Sequence, residues 1–262
     1  MSTTENQHGR HELGETAEEF LRERYREEIG SLAQLYPSDQ KSLVVDYGEL
    51  YEVDPDLADD ALAGPTFVMD VFAETVRNME ETKEVDVGGA HVRIANLPEH
   101  FTYYPGEFSP TDHRGRLRAL EGEIAKATDD YARMELAAFE CQRCGTLTRI
   151  PQTDEGFQDP HECQGCERQG PFRINYEQSE FVDAQKLRLQ TPPEEAQGEG
   201  ADIDVFVEDD YADLVTAGDR VTITGIVQLE QQGSGNTQKN KFDPYIEGVH
   251  VEVEQTDARD VD

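Results

Sequence analysis

The sequence predicts an α+β chain: a helical N-terminal part, then short strands of a small barrel or sandwich, with a four-cysteine module set among the strands. Three observations predict it. Apolar residues recur at three- and four-residue intervals up to about residue 82. From about residue 90 the interval shortens to two. The chain's four cysteines, Cys141, Cys144, Cys163 and Cys166, form two Cys-x-x-Cys pairs separated by eighteen residues.

The helices come first. Thr16 and Glu19 have the spacing of a capping box, in which each side chain satisfies the other's free backbone N–H. Leu21, Tyr25, Ile29, Leu32 and Tyr36 then follow at helical spacing, and Pro37 with Ser38 ends the run. Leu43-Val44-Val45 reads as a strand or a buried loop. Asp54 and Pro55 look like an N-cap and first helical residue, with a stop near Gly64. Pro65 opens a further helix, whose stripe of Val68, Val71, Phe72, Thr75, Val76 and Met79 gives one core-facing side.

Strands follow. In Gly115–Leu120, Arg116 and Arg118 share one face and Leu117 and Ala119 the other. Lys186 and Arg188 repeat the arrangement, and Ile203/Val205/Val207, Val221/Ile223 and Val249/Val251/Val253 alternate in the same way. The polar stretch 229–242 between two strand runs reads as an extended hairpin. Residues 191–202 read as an exposed Pro/Glu/Gly-rich loop.

The cysteine spacing, C-x2-C-x18-C-x2-C, suits a structural zinc site of the ribbon type, with all four thiolates on one ion. Gly145 and Gly165 are placed to permit the tight turns. Iron in a rubredoxin-like site is the alternative metal. Two disulfides do not suit a reducing cytosol, and a redox dithiol needs one pair only. Four thiolates leave no open position, so the metal supports folding and is not catalytic. The sequence contains no G-x-x-x-x-G-K-[ST], G-x-S-x-G or H-E-x-x-H, and no H-x-E ahead of a Pro-Cys-x-x-Cys.

The charge balance is extreme: 57 acidic against 23 basic residues, a formal net charge of −34 in 262 residues. At ordinary salt this would repel nucleic acid. The acidity is dispersed, however, and lysine is scarce, a composition that suits a molar-salt cytoplasm where the Debye length is ~3 Å. No stretch is apolar enough to span a membrane and the N-terminus has no signal-peptide pattern, so a cytoplasmic protein is expected. Because cations are few, their positions are informative. Arg114, Arg116, Arg118 and Lys126 fall in one window, Lys186 and Arg188 share a face, and Lys239 and Lys241 sit on the hairpin with Phe242 and Tyr245 after them. On a small barrel such residues can grip a single-stranded backbone, with aromatics as stacking platforms. The competing reading is that each cation pairs with a neighbouring carboxylate.

The order of these segments resembles the N-terminal region of the archaeal minichromosome maintenance (MCM) replicative helicases. The resemblance covers about 13–255 and rests on KSLVVDYGELYEVDPDLADDAL (41–62), VRIANLPE (92–99), GRLRALEGEIAKAT (115–128), AAFECQRCG (137–145), FVDAQKLRLQTPPE (181–194) and DRVTITGIV (219–227). It implies an oligonucleotide-binding (OB) barrel interrupted by the zinc ribbon, with domains at 1–90 (helical), 91–137 and 173–255 (barrel, hairpin about 229–242), 138–172 (zinc ribbon) and 256–262 (acidic tail or linker). It also implies a homo-oligomeric ring, a hexamer or double hexamer, around single-stranded and possibly double-stranded DNA. In that family zinc ribbons contribute to contacts between rings and basic hairpin tips project into the channel. Lys239 and Lys241 fall on that hairpin, and Arg116, Lys126 and Arg188 on barrel strands.

Three departures stand out. The ATPase module that follows this region in the family is not in the 262 residues, so this chain alone is not expected to be an enzyme. The loop that commonly carries a Pro-Arg pair reads GEGAD (198–202), and the hairpin tip GSGN (233–236). The alternatives are a stand-alone zinc-ribbon OB protein coating single strands, or a truncated relative that modulates a host helicase.

Overall fold

Capping and apolar periodicity account for most of the helices. The computed structural model describes residues 3–152, 157–196, 200–233 and 240–254. Helices α1 (Thr3–Arg24) and α2 (Arg26–Leu35) meet at Tyr25, whose φ of −124° and ψ of 16° step out of the helix. Two expectations change here. No helix begins at a Thr16–Glu19 box: Thr16 lies inside α1, and its Oγ1 donates to the Glu12 carbonyl at 3.2 Å. A threonine with four helical residues ahead of it can bond backwards instead of capping. The apolar stripe is also carried by two helices. The Tyr25 N–H bonds the Leu21 carbonyl and the Ile29 N–H the Tyr25 carbonyl, so the helical phase survives the break and Leu21, Tyr25, Ile29 and Leu32 are all buried.

Residues Ser42–Asp46 form a strand, β1, which pairs in parallel with β2 (His91–Ala95). The crossover between them carries α3 (Tyr47–Val53), α4 (Pro55–Ala63) and α5 (Pro65–Asn78). Asp54 caps α4 as the sequence predicts: its Oδ1 accepts the Asp56 and Leu57 N–H groups, each at 3.0 Å, with Pro55 at the first helical position. Such a cap contributes about 1 kcal/mol. On α5, Val68, Val71, Phe72 and Val76 are buried, followed by Met79 at its C-cap.

A short strand, β3 (Thr102–Tyr103), and the four-residue α6 (Pro110–His113) lead into β4 (Leu117–Ala127). Residues 129–185 then form a compact unit of their own. At its centre is β5 (Tyr131–Cys141), paired antiparallel along its second half with β6 (Leu147–Pro151) and β7 (Phe172–Ile174). Its first half pairs with the opening residues of β8 (Glu180–Gln190).

The other compact unit, 1–128 with 186–262, holds the helices and a closed barrel. Beyond β8 come β9 (Asp202–Glu208), β10 (Arg220–Gln231) and β11 (Phe242–Val253). The strand order β4-β10-β11-β9-β8 closes through an added β4–β8 ladder. Strand β4 changes partners near Gly122, where a Cβ would lie 2.7 Å from the Gln190 carbonyl oxygen. Only glycine lets the two ladders approach this closely.

Strand alternation sorts the apolar residues into two layers. Leu120, Ile124, Leu187, Leu189, Val205, Ile223 and Ile246 fill the barrel. Leu117, Ala119, Ile226 and Val249 face outward and join the core of the helical part. Polar contacts lock the same junction. Arg93 donates to Ser42 Oγ at 2.6 Å and to the Val249 carbonyl at 2.7 Å, pairs with Asp210, and stacks 4.2 Å from the Tyr211 ring centroid. Asp209 receives Lys41 and His91, and the Tyr211 hydroxyl bonds His250. Among the described residues, no helix is long and apolar enough to cross a membrane.

Candidate metal centre and nucleic-acid interface

The metal centre is built at two tight turns. Cys141 ends β5, Cys144 lies in the turn before β6, and Cys163 and Cys166 lie on the segment before β7. Their four sulfurs lie within 4.8 Å of one another. Cys141 Sγ is 3.8 Å from Cys166 Sγ, and Cys144 Sγ is 3.5 Å from Cys163 Sγ. Four sulfurs at ~2.3 Å from one tetrahedral zinc would stand about 3.8 Å apart along each edge, so the donor set fits that ion in number, chemistry and spacing. None of the four is in a disulfide.

The surroundings act in opposite directions on two of the four thiols. Thr146 Oγ1 lies 3.4 Å from Cys144 Sγ and, with the Thr146 backbone, draws that thiol down to about 6. Burial pushes Cys166 up to about 11, and the Gly165 N–H donates to Cys163 Sγ at 3.3 Å. Gly145 adopts φ +73°, as a tight turn requires. Gly165 serves differently. Its φ is not positive, and its missing side chain makes room for Thr146. The left-handed residue of the second turn is Glu167, at φ 54°.

The cations scatter more than the sequence suggests. Arg118 is 6% exposed. It sits on the barrel-facing side of β4, its guanidinium 5.2 Å from the Phe101 ring centroid, with Nη1 on the Leu117 carbonyl and Nε buried without an acceptor. Alternation places it beside Leu120 and Ile124, so it leaves the candidate surface. Arg116 is exposed at the start of β4, where its carbonyl accepts the Val227 N–H.

Lys126 and Arg188 do come together. A register shift between Ile124 and Lys126 turns Lys126 outward, and the two are direct partners in the β4–β8 ladder, both exposed. Beside them Lys186 stands 5.1 Å from the Phe206 ring centroid, and Phe206 meets Tyr245 edge to face at 5.4 Å. This strip of cations and two rings crosses β4, β8, β9 and β11. Neither Phe206 nor the clustering was singled out from the sequence, although the outward phase of β9 was available to find it. Arg188 is not bare, however. It pairs with Asp204 at 2.6 Å and with Asp202 at 3.4 Å, and Asp204 also holds Lys186 at 2.7 Å.

The hairpin is formed by β10 and β11, whose ladder runs out to Gln231 opposite Phe242, and the Gln232 N–H bonds the Lys241 carbonyl. Lys241 and Phe242 are exposed. Lys239, most of the GSGN tip, part of the GEGAD loop and the 256–262 tail lie outside the described residues.

A five-stranded closed barrel with a four-cysteine insertion and a helical N-terminal part defines an OB-type architecture. Residues 110–231 match the family described as MCM OB domain. The crystal structure of the N-terminal domain of an archaeal MCM superposes with a TM-score of 0.81 and 26% identity, covering 94% of this chain and 99% of that one. The chain is also 24% identical over 239 residues to the minichromosome maintenance protein MCM of Saccharolobus solfataricus, covering 87% of this chain and 34% of that protein. It is 27% identical over 223 residues to the DNA replication licensing factor MCM4 of Oryza sativa subsp. japonica, covering 80% and 25%. The chain therefore spans about a third or less of the length of these relatives. Over most of its length the chain is similar to MCM N-terminal regions, and within it residues 110–231 match the MCM OB domain.

Proposed function

We propose that this chain is the DNA-binding and ring-forming tier of an MCM replicative helicase and that it grips single-stranded DNA. The observation that carries the reading is the outer strip of the barrel. Lys126 and Arg188 stand side by side across a ladder, next to Lys186 and the Phe206–Tyr245 pair. Cations beside aromatic rings suit a backbone tracked by charge and bases held by stacking. Lys241 and Lys239 extend the grip along the hairpin, and Arg116 lies near its base. Zinc held by Cys141, Cys144, Cys163 and Cys166 would fix the fold of the insertion. The strip is small, so useful affinity comes from several copies in a homo-oligomeric ring, a hexamer or double hexamer, acting together. The dispersed carboxylates suit work in a molar-salt cytoplasm.

The test is fluorescence anisotropy of a labelled single-stranded oligonucleotide in molar KCl, with size fractions run separately. Assembled wild type binds; Lys126→Ala/Arg188→Ala and Lys239→Ala/Lys241→Ala each weaken binding at least tenfold; monomers bind weakly. Binding that ignores both double substitutions overturns the reading.

A further inference from the structure

We propose that Asp204, aided by Asp202, is a built-in stand-in for a DNA phosphate, which nucleic acid must displace from Arg188 and Lys186, and that this exchange makes the strip's own share of binding nearly independent of salt. The inference rests on the single-strand reading above and deepens it.

The geometry is that of anion recognition. Asp204 Oδ1 accepts from Arg188 Nε at 2.8 Å and Nη2 at 2.6 Å, and Oδ2 takes Lys186 Nζ at 2.7 Å. Two guanidinium nitrogens and one ammonium on a single carboxylate is the arrangement these groups offer a phosphate. Asp202 Oδ1 adds a looser contact to Arg188 Nη1 at 3.4 Å. The carboxylate is centred on the strip: Asp204 is the ladder partner of Tyr245, and Lys186 lies against Phe206. Lys126, beside Arg188, is exposed and has no ion-pair partner among the described residues. A strand arriving at Lys126 therefore meets one open cation and two that are occupied.

Ion counting gives the consequence. A cation that neutralises a phosphate on a single strand releases about 0.7 of a counterion, and affinity falls with salt accordingly. Here each phosphate that replaces a carboxylate frees an anion on the protein, which gathers a potassium ion in turn. Release and uptake offset each other. Three open cations on this strip would give a log–log salt slope of about −2. With two of them pre-paired the slope is expected between 0 and about −1. The same pairing lowers affinity in dilute salt and keeps the side chains ordered in concentrated salt, where partly buried pairs are weakly screened.

The experiment is anisotropy of a labelled single-stranded oligonucleotide across KCl concentrations, on the assembled wild type, Asp204→Asn and Asp202→Asn, with Lys126→Ala/Arg188→Ala as reference. The expected result for Asp204→Asn is about tenfold tighter binding at the lowest salt and a slope steeper by about one unit. Asp202→Asn, whose contact is longer, shifts both in the same direction by less, and carries the test if Asp204→Asn fails to fold. Wild-type slope and affinity in both variants, with the reference double substitution still weakening binding, overturns the exchange and leaves the single-strand reading intact. Binding unaffected by the reference double substitution overturns both.

Discussion

Arg93 Nη1 donates to the Val249 carbonyl at 2.7 Å, a bond from the helical part of the molecule to a barrel strand. Arg93 and Arg118 are equally buried, each 6% exposed, yet their surroundings are opposite. Arg93 has Ser42, Val249 and Asp210 as partners, whereas Arg118 has the Leu117 carbonyl, the Phe101 ring and the Tyr103 side chain, with no carboxylate.

Removing Arg93 strands its acceptors. Asp210 would lose its buried partner and the Val249 carbonyl its donor. Arg93→Met is expected to cost about 1–3 kcal/mol, chiefly from the Ser42 and Val249 acceptors left unpaired, since Asp210 itself is open to water. Denaturant unfolding at fixed KCl checks it, and a cost under about 1 kcal/mol would contradict the interpretation.

Arg118 should behave in the opposite way. Burial lowers its pKa, and no carboxylate is among the groups acting on it. Arg118→Met removes an unsatisfied buried Nε and keeps much of the volume. It is expected to leave stability unchanged or raise it by about 1 kcal/mol. The same unfolding measurement, run beside Arg93→Met, separates the two arginines.

Acid should weaken the fold in two stages. Burial lowers the pKa of His250, which bonds Tyr211, so the unfolded chain binds its proton first. Stability is full above about pH 6.5 and falls as the pH drops below it. For Asp209, burial acts to raise the pKa, but bonds from His91 and Lys41 outweigh it and hold the group at about 2. Its contribution of about 2 kcal/mol is present above pH ~4 and lost between ~4 and ~2. Asp209→Asn should flatten the lower stage and His250→Phe the upper, as read from unfolding free energy against pH.

Stripping metal should act on one unit. With a strong chelator, residues 129–185 are expected to become protease-sensitive and all four thiols to react, while cleavage within 1–128 stays slow. Mass spectrometry of the fragments checks this. Uniform cleavage across both units would show that the ion supports more than its own module.

Gly122→Ala places a methyl against the Gln190 carbonyl and the Leu189 side chain. A cost of about 1–3 kcal/mol is expected from overpacking. A melting curve indistinguishable from wild type would show that the two ladders can separate without penalty.

What the sequence revealed depended on how local each signal was. The Asp54–Pro55 cap and the α5 stripe are set within a few residues of themselves, and both stand in the structure. The cysteine pairs are local turns, and the structure brings their four sulfurs within 4.8 Å of one another. The break at Tyr25 was not legible, because the apolar phase runs through it unbroken. The parallel pairing of β1 with β2 links segments about fifty residues apart. The burial of Arg118 depends on which side of β4 the barrel closes, and alternation alone gives two faces without naming the inner one. Asp204 went unnoticed for a similar reason: in a chain with 57 acidic residues, nothing local marks the one that lies across a strand from Arg188.

The ends of the barrel strands at the insertion have a consequence for how such a chain can change. The Thr128 N–H bonds the Lys186 carbonyl at 3.0 Å, and the Lys186 N–H bonds Thr128 Oγ1 at 3.1 Å. To the barrel, everything from 129 to 185 occupies the place of a hairpin turn. Closure entropy grows only with the logarithm of loop length, about 0.6 kcal/mol for each doubling. A lineage could therefore enlarge, trim or exchange this appendage while the barrel keeps its register, so the two halves of the molecule are free to diverge at different speeds.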